Sequence, residues 1–210
     1  MPMVTQMIRR RCKFAAVLLA VMLLLTGCWD ESSVENRNIL TAVIVDFKED
    51  NYYFLVEVIN VMGMTGEGEN PKAKMTNLKS KGKNLIEARE DLNRRSDALT
   101  YLGATRIVIF TKRMAQKGIE EYLNRIRTEF DYRKSLNLVV TSDEPETLIS
   151  DSSENSSSIG DAIDTMMDKE RTMGSSFEFS VGEALENLAV DKAGFLVPEI
   201  NIQEDDPTLT

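Results

Sequence analysis

The chain has 210 residues, 25 basic and 34 acidic, for a net charge of −9, with two cysteines and no histidine. A surface of that sign is repelled by nucleic acid and by anionic lipid, which disfavours binding to either through bulk charge. The lack of histidine excludes Ser-His-Asp and Cys-His catalysis, histidine acid–base work and most zinc sites.

At the N-terminus, Arg9, Arg10, Arg11 and Lys13 precede an unbroken apolar run from Phe14 to Leu25. Twelve apolar residues suit a secretory signal of about 7–15, whereas a bilayer-spanning helix needs roughly 20. Leu25-Thr26-Gly27-Cys28 fits the Leu, small, small, Cys pattern of bacterial lipoproteins. The small residues let a peptidase close on the backbone, and the thiol is the strong nucleophile that takes the lipid. Residues 1–27 are therefore expected to be a cleaved lipoprotein signal peptide, with Cys28 the lipidated first residue of the mature chain. A plain secreted protein or an uncleaved anchor fits less well, because charge, apolar length and cysteine position agree. The mature part has 183 residues, with 21 basic and 34 acidic side chains, net −13. Cys12 leaves with the leader and Cys28 carries lipid, so no disulfide is available and an ordinary core must hold the fold. Membrane attachment is assigned to the acyl chains on Cys28 and to partner proteins.

After a tether over 28–40, Thr41 to Asp46 is a short β-rich run. Lys48 to Asn51 makes a turn, and Tyr52 to Met62 is a second strand, which predicts an antiparallel hairpin. Met62 to Lys79, with Gly63, Gly66, Gly68 and Pro71, has no persistent period and is expected to be a loop. Leu85, Ala88, Leu92 and Leu99 mark one face of a helix. Arg106 to Thr111 is expected to be a buried strand. Ile119, Tyr122, Leu123, Ile126 and Phe130 stripe a helix starting near Met114, and Ser135 to Thr141 is the next strand. Strand, helix, strand predicts a βαβ unit with parallel strands. Asp151 to Ser158 is polar and serine-rich and is expected to be an exposed linker. A helix with Ile159, Ala162, Ile163 and Met166 inward follows. Another starts at Ser180-Val-Gly-Glu183, a capping-box spacing, and buries Val181, Ala184, Leu185 and Leu188. Asp191 to Gly194 ends it, and Phe195 to Ile202 is extended around Pro198. The fold class is α+β, a mixed β-sheet with packed helices. Residues 41–202 form the domain and 203–210 a tail, and a split near the serine-rich linker stays open.

Charge is uneven along the chain. Residues 29–105 carry 10 basic and 13 acidic groups, residues 106–134 carry 8 and 4, and residues 135–210 carry 3 and 17. The last third could meet a basic partner, although a solvated surface explains it as simply.

Taken in order, these segments resemble the N-terminal domain of the Ger(x)C lipoproteins, the C subunits of spore germinant receptors. Gly27-Cys28-Trp29-Asp30 is similar to the family's Cys-Trp-Asp behind the lipobox. Glu35 and Leu40 to Asp46 resemble its first strand, which usually ends in Asp. Gly82 to Leu92 (GKNLIEAREDL) resembles its Gly-x-x-Leu/Ile-x-Glu-Ala helix, and Leu102 to Phe110 its next strand. Ala115 to Leu123 is similar to the A-x-x-G-I-x-x-x-L helix, and Gly194 to Pro198 to the closing Leu-Pro. Arg127 to Arg133 (RTEFDYR) is similar to an R-D-x-x-x-R segment with altered spacing. The resemblance runs from Cys28 to about Ile202. Family members continue into second and third domains, so this chain, ending at Thr210, is expected to be the N-terminal domain alone: a truncated gene, a split protein or a degenerate paralogue.

Several clusters are candidate sites. Asp161, Asp164 and Asp168 lie near helical spacing, but a hard-cation site needs six or more converging oxygens, so a solvated acidic face is expected. Glu129 and Asp131 sit beside Arg127 and Arg133 as a surface ion-pair cluster rather than a catalytic carboxylate pair. Gly63, Gly66 and Gly68 do not link a strand to a helix and make no phosphate cradle. Met166, Met167 and Met173 read as core and loop. Trp29 either rests at headgroup level or packs on the domain. No catalytic, cofactor-binding or metal-ligating residue is assigned, and Cys28 is the one site residue.

The resemblance implies a non-enzymatic, lipid-anchored receptor subunit beside two integral-membrane partners, an A-type and a B-type subunit. It also implies the outer face of the cytoplasmic membrane and, in a dormant spore, the inner membrane, where small nutrients such as amino acids or sugars trigger germination. The rival readings are a solute-binding lipoprotein of a transporter, for which the chain is short, and an envelope hydrolase, for which no motif stands.

Overall fold

The computed structural model describes residues 11, 13, 37–60, 74–128, 132–149, 158–174, 179–190, 194–203 and 206–209. The fold lies in the unit Val34–Thr210.

β1 (Arg37–Lys48) and β2 (Asn51–Asn60) form the expected antiparallel hairpin. Its two-residue turn holds Glu49 and Asp50 at φ 53° and 56°. That left-handed pair matches the twist of a tight hairpin but favours Asn or Gly. β3 (Lys74–Gly82) then pairs antiparallel with β2. The loop expected over 62–79 is thus corrected, since its last six residues are strand. Among the described residues β3 pairs on one side only, and it leaves Thr76, Asn77 and Lys79 exposed, so no apolar alternation marks it.

α1 (Leu85–Arg95) starts at Asn84, whose side chain accepts from Glu87 N at 2.9 Å. It buries Leu85, Ala88 and Leu92, as the spacing predicts. The helix stops at Arg95, and Leu99 opens β4 (Leu99–Tyr101) beside the start of β1. β5 (Ile107–Thr111) is buried at all five residues and runs parallel to β1. The single helix expected next is two: α2 (Lys112–Lys117) and α3 (Glu120–Thr128). Gly118, at φ 114°, breaks them, a conformation that glycine adopts at least cost. β6 (Asn137–Thr141) is parallel to β5, completing the βαβ unit. After a helical turn at 145–149 come α4 (Ile159–Met173) and α5 (Val181–Ala189), then β7 (Glu199–Gln203), parallel to β6. β8 (Asp206–Leu209) closes the edge antiparallel to β7. Elements on both sides of the serine-rich stretch therefore build one mixed sheet, in the order β3-β2-β1-β5-β6-β7-β8.

Both faces of this sheet are covered, which makes the central strands apolar on both sides. One core joins Val43, Val45, Phe54 and Phe110 to Leu85, Met114, Leu123 and Val181 from α1, α2, α3 and α5. The other joins Ala42, Ile44, Ile107 and Ile109 to Leu148, Ile149 and, from α4, Ile159, Ile163 and Met167. In α4 the inward methionine is Met167, with Met166 half-buried and Met173 exposed. α4 meets β1 backbone to backbone: a Cβ on Gly160 would lie 2.6 Å from the Thr41 carbonyl oxygen. The chain leaves β5 toward the first face and β6 toward the second. At the carboxyl ends of parallel strands, such a divergence opens a crevice.

Candidate functional site: a charged cavity at the carboxyl ends of the strands

Asp46 ends the buried part of β1 and is only 6% exposed. Its Oδ1 accepts from Thr111 Oγ1 at 2.6 Å and from Phe47 N at 2.8 Å. The Arg113 guanidinium embraces it, Nε donating to Oδ1 at 2.5 Å and Nη2 to Oδ2 at 2.7 Å. Thr111 also caps α2, accepting from Met114 N, which fixes the helix that carries Arg113. Arg113 then reaches outward to Glu144, with Nη1–Oε1 at 2.7 Å and Nη2–Oε2 at 2.8 Å. One guanidinium thus bridges a buried carboxylate and an exposed one through forked, charge-assisted bonds.

Beside this bridge lies a cavity of about 230 Å³, and a separate one of about 340 Å³ lies at the opposite strand ends, lined by Arg106, Arg133 and Asp164 among others. The cavity beside the bridge is lined by Asp46, Lys48, Glu49, Tyr53, Lys79, Arg113, Glu144 and Glu146. Lys79 pairs with Glu146, and the ammonium groups of Lys79 and Lys81 stand 5.5 and 5.4 Å from the Tyr53 ring centroid. Hydrogen bonding from Arg113 holds the Glu144 carboxyl below its ordinary range, and Lys79 does the same for Glu146. Bonding to Glu144 and Asp46 raises the Arg113 guanidinium further above its already high value.

A second polar centre is sealed. Glu57 on β2 is 1% exposed and accepts from Thr41 Oγ1, from Ser158 Oγ at 2.6 Å and from Ile159 N at 3.0 Å. Its carboxylate therefore sits on the N-terminus of α4, where backbone N–H groups and the helix dipole favour an anion. A β-bulge between Leu40 and Ala42 admits Thr41 to this arrangement.

The chain matches the family described as "Spore germination protein N-terminal domain" over residues 30–202. It belongs to that family. Two curated relatives are Spore germination protein KC and Spore germination protein B3 of Bacillus subtilis (strain 168). The first is 24% identical over 137 residues, 62% of this chain and 34% of that protein. The second is 24% identical over 122 residues, 57% of this chain and 32% of that protein. The chain thus spans about a third of the length of the curated relatives it matches. No solved structure matches it. The family assignment bears out the resemblance read from the order of the motifs.

Of the residues singled out in the sequence, Cys28, Trp29, Asp30, Gly63, Gly66, Gly68, Glu129 and Asp131 lie outside the described residues. The aspartates of α4 do not converge. Asp161 and Asp164 pair with Arg106 at 2.8 and 3.0 Å, Asp164 also accepts from Asn137, and Asp168 pairs with Arg171. No group of three or more His, Cys, Asp or Glu side chains among the described residues could hold a metal ion. Among the described residues no helix is long and apolar enough to cross a membrane. Sequence reading missed the Asp46–Arg113–Glu144 bridge, whose members lie 67 and 31 positions apart. One signal was there: the family's first strand ends in an aspartate, here Asp46.

Proposed function

We propose that the protein is a non-enzymatic, lipid-anchored subunit of a spore germinant receptor, acting in nutrient-triggered germination. The observation that carries this reading is the family match, which starts at residue 30, two positions after Cys28, and runs to residue 202. The names of the relatives support the germination role. On this reading, acyl chains including palmitate on Cys28 hold the domain at the outer face of the cytoplasmic membrane, and in the spore at the inner membrane. Each buried CH2 contributes about 0.8 kcal/mol, so two chains anchor stably where one would not. Confinement to the membrane surface raises the domain's effective concentration near A-type and B-type integral-membrane subunits. Its work is assembly or stabilisation of the receptor and not covalent chemistry.

Radiolabelled palmitate should enter the wild-type protein and not Cys28→Ser, and the variant should move to the soluble fraction. A serine variant that stays equally membrane-bound overturns the anchor. Deletion should blunt germination to at least one nutrient; unchanged germination to every nutrient tried overturns the receptor role.

A further inference from the structure

The segment after β6 places two of its own carboxylates on cations of the charged cavity, Glu144 on Arg113 and Glu146 on Lys79. Both side chains are more than half exposed, at 56% and 55%, so either can turn into water at little cost. Arg113 cannot follow, because Nε and Nη2 are pinned by the buried Asp46. Lys79 stays against the Tyr53 ring. Glu144 engages the guanidinium through two parallel bonds of 2.7 and 2.8 Å, the geometry a free carboxylate would adopt. The cavity, about 230 Å³, is smaller than the usual drug-sized pocket and suits a molecule of few heavy atoms.

We propose that this cavity binds a small carboxylate solute, anchored by Arg113 and Lys79 in place of Glu144 and Glu146. With the two glutamates turned out, the remaining charged lining is Lys48, Lys79 and Arg113 against Asp46 and Glu49, a local +1. With them in place it is −1, and the anion is refused. The internal carboxylates are thus competitors, and apparent affinity equals intrinsic affinity scaled by the open fraction. This binding goes beyond the lipid anchor and the receptor role and depends on neither.

The test titrates sodium succinate and sodium acetate into the full chain, kept in solution with detergent, at constant ionic strength, with sodium chloride as control. Side-chain Nε–H resonances of arginine and calorimetry report binding. The wild type should saturate, and Glu144→Gln/Glu146→Gln should bind about tenfold tighter or better. Lys79→Ala in that background should weaken binding again, and because Lys79 is on the surface its fold is safe where Arg113→Lys could fail. Equal affinity in wild type and double variant, no saturable signal in the double variant, or the same response to chloride would each overturn the site.

Discussion

Two buried carboxylates on neighbouring strands, Asp46 on β1 and Glu57 on β2, are satisfied by different means. Asp46 is held by an arginine that is itself a third exposed and reaches on to solvent-facing Glu144. Glu57 accepts from a bulged strand residue, a helix-capping serine and a helix backbone amide. The first lies across the carboxyl ends of the central strands, and its outer member, Glu144, can turn away without moving the backbone. The second ties β1, β2 and α4 together, and nothing in it can move unless an element moves. The contrast separates an adjustable centre from a structural one.

The sharpest break would come at Glu57. Replacing it with alanine strands Thr41, Ser158 and Ile159 N in a buried place, and should cost about 3 kcal/mol. Glu57→Gln retains an accepting oxygen and should cost about half as much. Urea unfolding with an unchanged slope would read both. A loss under about 1 kcal/mol for Glu57→Ala would erase the distinction. Arg113→Ala comes next. It leaves Asp46 without its guanidinium, but partial exposure of the arginine lets water help, so about 2 kcal/mol is expected. Combining it with Asp46→Asn should recover part of that loss, and strict additivity would show that the two side chains are not coupled.

The same contrast explains what the sequence could reveal. β1, β5 and β6 are legible because burial on both faces leaves runs such as Ile107-Val-Ile-Phe110. The α5 start is legible because its capping box, Ser180 with Glu183, is local: Ser180 Oγ accepts from Glu183 N, and Ser180 N donates to Glu183. β3 was not, because its sequence has only Met75 and Leu78, on opposite faces, among lysines and polar residues, and so shows no alternation. Neither polar centre could be read. Glu57 looks like one charge in an apolar strand until Ser158, 101 positions on, meets it. Arg113 looks like a solvated residue at the start of a helix until the crossover brings Glu144 beside it.

The two helix starts sharpen this into a smaller prediction. α5 relies on its local box, so Ser180→Ala should cost about 1 kcal/mol, read by thermal or urea unfolding. That is well below the cost at α4, where a strand supplies the carboxylate. Ser180 also holds the Glu183 carboxyl below its ordinary range through backbone and side-chain bonds, so part of the cap should weaken in acid.

The smallest effect at neutral pH belongs to the adjustable centre. Glu144→Gln and Glu146→Gln should each cost under about 1 kcal/mol, because both pairs are exposed and their attraction is screened. Their pH dependence tells more than their size. Arg113 and Lys79 lower the folded-state values of these two carboxyls, whose ordinary value is 4.5. A depressed folded value means the stabilisation is complete above the unfolded value and disappears as pH falls through the folded one. The stability gap between wild type and the double glutamine variant should therefore be constant from neutrality to roughly pH 5 and close below it. Salt should narrow it at neutral pH. A gap that widened in acid would mean that the glutamates repel the cavity more than they fill it, and the charges around Arg113 would have to be reassigned.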